Sequence, residues 1–155
     1  MKIIILSPGA SRLEGVPRLI EHYATLLSKY AAVEIKAVKR QADPRSPKEI
    51  KRFETLELFK AVPKDYAVIA MDERGRQLST VEFAAELDKF KNSSKKGLAF
   101  LIGGQEGIDF SAAPEVDMKL ALSRMTFPHD LARAILLEQL FRAFSFLDGR
   151  PYHRE

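Results

Sequence analysis

An α/β fold, with a mostly parallel sheet flanked by helices, is what this sequence predicts, on three observations. Short aliphatic runs alternate along the chain with segments of helical periodicity, the pattern of strand-helix-strand units. Several of the runs are apolar at consecutive positions, as in KIIIL (2–6) and YAVIAM (66–71), which marks strands covered on both faces. Each run ends in turn residues: Ser-Pro-Gly at 7–9, Asp-Glu-Arg-Gly at 72–75 and Gly-Gly at 103–104.

Taken in order, KIIIL opens the chain as a strand. A helix follows over 16–30, where Leu19, Ile20, Tyr23, Leu26 and Leu27 recur at helical spacing and Pro17 sits in the first turn. AVEIKAV (32–38) alternates apolar with polar, as a strand near a sheet edge does. Ser46-Pro47, with Glu49 three residues after Ser46, starts a second helix through Ile50, Phe53, Leu56 and Phe59, with Lys48, Lys51 and Arg52 on its solvated face. YAVIAM is the third strand and ends at DERG. Ser79 caps a helix running to Phe90, with Glu82 completing a capping box. GLAFLIGG (97–104) is a strand entering a glycine turn, IDFSAAPEV (108–116) a brief helix, and DMKLALS (117–123) a short strand.

The final helix, HDLARAILLEQLFRAFSFL (129–147), is apolar around most of its circumference. Such a helix must be buried on several sides, and the second surface expected here is another copy of the chain in a twofold dimer.

At 155 residues the chain is read as one domain, 1–155, able to bury roughly 70% of its unfolded surface. It has no Cys, and its three His, at 22, 129 and 153, lack ligand spacing, so no disulfide and no metal site is expected. The apolar run at the start is too short for a signal-peptide core or a membrane span, and the expectation is a cytoplasmic protein. Net charge is +4, with a sequence pI near 9.3. All thirteen Lys precede residue 120, whereas Arg124, Arg133, Arg142, Arg150 and Arg154 follow it. The planar Arg fork suits phosphate and base edges, so a nucleic-acid site, if present, belongs in the last quarter. Pairing with Asp130, Glu138, Asp148 and Glu155 is the competing explanation.

Ligands of open α/β sheets bind beyond the carboxyl ends of the strands, which here offers MDERG (71–75), IGGQEG (102–107) and LSRMTFPH (122–129). A dinucleotide fingerprint fails, because Gln105 and Ile108 stand where its second and third glycines belong. The P-loop pattern is also missing. What remains is a glycine turn that lets backbone approach a ligand or crowded chain closely. His129 opens a helix, and Glu138 and Arg142 are an i,i+4 pair in apolar surroundings, a placement that marks either an intrahelical ion pair or a site.

The stretches MDERGRQLS, FLIGGQEG and LSRMTFPHDLARAILLEQLFRAFSFLDGRPYHRE together resemble the RlmH family of SPOUT-class RNA methyltransferases. The resemblance covers nearly the whole chain and is strongest from Met71 onward; LSPGAS replaces the family's Val-Gly-Lys turn, Met71 a usual Leu and Phe141 a usual Tyr. It implies a SPOUT-like fold with a C-terminal deep trefoil knot, and a homodimer that binds S-adenosyl-L-methionine. The implied reaction methylates N3 of a pseudouridine in large-subunit (23S) rRNA on assembled ribosomes. The implied cofactor cleft comprises Met71, Asp72, Ile102, Gly103, Gly104, Leu122, Ser123, Arg124, Met125, Thr126, Phe127 and Pro128.

Displacement at a sulfonium methyl asks the protein mainly for alignment, whereas an imide N3 must lose its proton before it attacks. Glu106, His129, Glu138 and His153 are the candidates for base or relay, and Arg133, Arg142 and Arg154 for anion stabilisers. Arg133, Tyr152, His153 and Arg154 are the expected RNA contacts, with the terminal RPYHRE lying across the partner's cleft and Tyr152 stacking on a base. Three rivals stand: a SPOUT enzyme acting on another RNA such as tRNA, a non-catalytic ribosome-binding module, and a nucleotide-binding regulator that the failed glycine patterns disfavour.

Overall fold

The aliphatic runs form strands and the periodic segments helices. In the computed structural model, which describes residues 1–10, 13–40 and 46–149, the order is β1 (Lys2–Pro8), α1 (Val16–Leu27), β2 (Ala32–Val38), α2 (Pro47–Lys60), β3 (Tyr66–Gln77), α3 (Thr80–Lys91), β4 (Gly97–Ile102), β5 (Met118–Ala121) and α4 (His129–Leu147). The strands build one parallel sheet in the order β2-β1-β4-β3-β5. The continuous apolar runs become the interior strands, with β4 buried along its whole length. The alternating β2 lies at an edge and keeps a polar face.

Side chains alternate between two cores. Ile3, Ile5, Leu98 and Phe100 face α1, α3 and α4, whereas Ile4, Leu6, Ala99 and Leu101 face Leu58 of α2 together with Ile108. The capping box expected at Ser79 is present, and the helix start at Ser46 forms a second one: Ser46 and Ser79 accept from the backbone of Glu49 and Glu82, and those carboxylates accept from the serine N–H groups at 3.0 and 2.7 Å. Such caps stabilise a helix by about 1 kcal/mol each.

Three expectations need correcting. First, the apolar circumference of α4 is covered inside one chain, because α4 packs between α1 and α3 on the sheet. Leu136, Leu137, Leu140 and Ala143 are each 0% exposed, and Tyr30 at the end of α1 lies against Phe141 and Phe144. Its apolarity therefore does not by itself call for a second copy.

Second, 108–116 is not helical. The Asp109 carboxylate accepts from the Ser111 N–H at 3.0 Å and from its hydroxyl at 2.6 Å, a local turn that competes with helix. Third, β3 continues past Met71 to Gln77. Its pairing with β5 slips there, since Met71 and Arg76 both face Leu120. Residues 72–75 thus step out of the ladder, and the Arg74 N–H bonds Asp72 Oδ1 at 2.9 Å.

Candidate functional site

Because β4, β3 and β5 are neighbours and parallel, the segments at their carboxyl ends share one cleft of about 310 Å³. Met71 and Asp72 reach it from the step in β3. Ile102, Gly103 and Gly104 come from the end of β4, and Leu122, Ser123, Met125, Thr126 and Phe127 from the β5–α4 connection. The three segments singled out in the sequence are brought together, and Glu106 and His129 join them at the wall.

The glycine turn is tight for a structural reason. The Gly107 N–H donates to the Gly104 carbonyl at 3.0 Å, and a Cβ on Gly103 would lie 2.6 Å from the carbonyl carbon of Gly107. Any side chain at Gly103 would collide with backbone. On the far wall the Ser123 hydroxyl accepts from the Met125 N–H at 3.0 Å, which turns the chain toward α4. Arg124 is exposed and Pro128 is the N-cap of α4, its carbonyl accepting from Ala132 at 3.0 Å; neither lines the cleft.

The remaining candidates separate. Glu138 and Arg142 form a half-buried pair in which Arg142 Nε donates to Glu138 Oε1 at 3.0 Å, while Gln139 Nε2 donates to the other carboxylate oxygen at 2.6 Å. Nine residues beyond His129, Glu138 stands about 13 Å further along the helix and does not line the cleft. Arg133, expected to reach RNA, is only 4% exposed: its guanidinium donates to Ser7 Oγ at the end of β1 and lies 3.8 Å from Asp130 Oδ1. Tyr152, His153 and Arg154 lie outside the described residues.

His129 sits 3.4 Å from Asp130. Its pKa nevertheless lies below the ordinary 6.5, because burial dominates and the positive charges of Arg133 and Arg40 add to it, against the raising effect of Asp130. The imidazole is therefore neutral at pH 7 and able to accept a proton. A folded chain that binds this proton less tightly than the unfolded one loses stability as pH falls below about 6.5 and regains it above. His129→Gln is expected to flatten that part of the acid-side loss, read as the urea midpoint across a pH series; an unchanged slope would show that His129 does not carry it.

Sequence reasoning missed Lys51, Ile108 and Phe110 at the cleft. Lys51 was expected on the solvated face of α2. The apolar residues at 108 and 110 were expected to belong to a helix, although two large apolar residues so soon after a glycine turn are themselves a signal of a wall. Among the described residues no group of His, Asp or Glu could hold a metal, and no helix is long and apolar enough to cross a membrane.

Helices on both faces of a parallel sheet, with a glycine-walled cleft at adjacent strand ends, define an α/β protein of the open-sheet class, in which ligands bind beyond the carboxyl ends of the strands. The family model described as "Predicted SPOUT methyltransferase" matches residues 1–153, and the chain belongs to that family. Similar proteins include the "Ribosomal RNA large subunit methyltransferase H" of Geobacter metallireducens, 39% identical, covering 99% of each chain. The proteins of that name from Thioalkalivibrio sulfidiphilus, 39% identical over 100% of both chains, and Acetivibrio thermocellus, 36% identical over 99% of this chain and 100% of the relative, are further examples.

Proposed function

We propose that this chain is an rRNA large-subunit methyltransferase that uses S-adenosyl-L-methionine to methylate N3 of a pseudouridine, acting on assembled ribosomes in the cytoplasm. The observation that carries the reading is the convergence of three strand-end segments on one cleft whose wall includes Gly103 and Gly104, where a Cβ would overlap the Gly107 backbone and the Glu54 carboxylate. Membership of the family and full-length similarity to the named rRNA enzymes add to it.

The lining suits this methyl donor. Met71, Ile102, Leu120, Leu122 and Phe127 supply apolar surface for an adenine ring, and Asp72, Glu73 and Glu106 supply negative charge for its cationic groups. When bound, the donor supplies an electrophilic sulfonium methyl. The chain's own work is then to hold the acceptor in line, exclude water and take the N3 proton. His129, neutral and at the cleft wall, is the best-placed proton acceptor among the described candidates, with Glu106 the alternative in the same wall. Glu138 and Arg142 would serve from outside the cleft, as a stabilising pair for a second chain or for RNA.

The reading includes a deep trefoil knot in the C-terminal part. Membership of the SPOUT family is its support. It also includes a homodimer, for which Phe146 and Leu147 at the end of α4, 39% and 40% exposed, offer apolar surface. In that dimer the terminal segment closes the partner's cleft.

Removing Tyr152 to Glu155 tests this arrangement. The truncated chain is expected to bind S-adenosylmethionine within about twofold of the intact one, since the proposed donor contacts all come from the 71–73, 102–106 and 120–127 segments, and to lose methyl transfer to ribosomes by more than about a hundredfold through misplacement of the acceptor. Calorimetry and label incorporation read the two quantities. Normal turnover by the truncated chain would remove the tail from the active site; failure of the intact chain to bind the donor would overturn the function itself.

A further inference from the structure

α2 carries a carboxylate where a helix of this composition has no stability reason to bury one. Glu54 is 2% exposed and the next residue, Thr55, 0%, although α2 is otherwise a polar helix with a single fully buried aliphatic, Leu58. Acidic side chains are rarely enclosed to this degree unless paired. The pairing here is loose: Glu54 Oε1 lies 3.8 Å from Nε of Arg40, whose side chain is 44% exposed. Burial raises the Glu54 pKa, Arg40 opposes that, and the charge of Glu106 adds to it.

What the carboxylate touches is the glycine turn of the cleft. A Cβ on Gly104 would overlap Glu54 Oε2, and Pro8 Cγ would stand 3.5 Å from it on another side. The turn is thus bounded twice, by Gly107 against Gly103 and by Glu54 against Gly104. Thr55 Oγ1 accepts from the Asp109 N–H at 2.9 Å, so consecutive residues of α2 contact the turn at Gly104 and anchor the segment just after it. Glu54 itself does not line the cleft.

We infer that Glu54 is a positioning residue: its buried carboxylate, packed on Gly104 and facing Arg40, fixes the 103–107 turn in the shape that receives the methyl donor. The inference rests on the donor reading above. It makes α2, which contributes only Lys51 to the cleft wall, the brace that sets donor affinity.

The test is a set of variants measured for S-adenosylmethionine Kd and KM, for kcat on ribosomes, and for Tm. Glu54→Ala is expected to raise donor Kd and KM about tenfold with kcat within about twofold, and Glu54→Gln, which keeps the volume, about threefold, the range for coupled neighbours. Gly104→Ala is expected to weaken the donor by more than about tenfold through collision with Glu54, and the double variant Glu54→Ala/Gly104→Ala to return to the value of Glu54→Ala alone. A residue that only held the fold together would lower Tm and leave KM of the folded protein unchanged. Wild-type donor affinity in both Glu54 variants, or additive effects in the double variant, would overturn the inference. An intact chain that binds no donor would instead overturn the proposed function.

Discussion

Gly103→Ala is expected to weaken S-adenosylmethionine binding about tenfold or more while the protein stays folded. The added methyl would lie 2.6 Å from the carbonyl carbon of Gly107 and 2.8 Å from its Cα, both backbone atoms that move only if the whole turn moves. Forcing a methyl into packed structure costs about 1–3 kcal/mol, and each 1.4 kcal/mol that falls on the bound shape of the turn is tenfold in Kd. The turn lies beyond the end of β4, which is buried throughout and held by β1 and β3, so the sheet itself is left intact. Titration calorimetry with a thermal melt as control reads the effect. Unaltered donor affinity would mean that the glycine wall is not where the donor binds.

Asp130→Ala is expected to destabilise the protein by about 3–5 kcal/mol, the cost of stranding a buried charge. Asp130 and Arg133 are 6% and 4% exposed near the start of α4. Asp130 Oδ2 accepts from the Leu13 N–H at 3.3 Å, and Arg133 donates to Ser7, so the pair ties α4 to β1 and to the segment before α1. Arg133 Nε has no hydrogen-bond partner among the described residues. For a chain of this size the loss corresponds to a fall in Tm of roughly 6–20 °C. The double substitution Asp130→Leu/Arg133→Met, which removes both charges, is expected to recover most of it. A melt of Asp130→Ala within about 2 °C of wild type would show that the pair is not structural.

Much of this architecture is legible without coordinates because local chemistry and tertiary need coincide. Ser46 with Glu49 and Ser79 with Glu82 announce helix starts, and the structure uses both boxes. The consecutive apolar residues of β1 and β4 announce strands covered twice, and the alternation of β2 announces an edge. His129 to Leu147 is helical as its periodicity predicts.

The failures lie where tertiary contacts decide. Residues 108–116 have helical composition, but Asp109 is held by Thr55 and folds back on Ser111. The apolar circumference of α4 pointed outside the chain because no periodicity reveals that α1 and α3 would flank it. The sequence offers Arg133 both as an RNA contact and as a partner for nearby acids, since charge along a sequence does not tell which guanidinium will find Ser7 and Asp130 indoors. Glu54 carries no signal in the sequence, where it is one more acid on a charged helix, and only the fold sets it against Gly104.

Methyl transfer to ribosomal RNA is measured by following label from S-adenosylmethionine to assembled ribosomes lacking this modification. Isolated subunits and bulk tRNA serve as parallel acceptors, and the product nucleoside is identified by mass. Label is expected in large-subunit rRNA as N3-methylpseudouridine, from assembled ribosomes only. Label on tRNA, or none despite measurable donor binding, would contradict it.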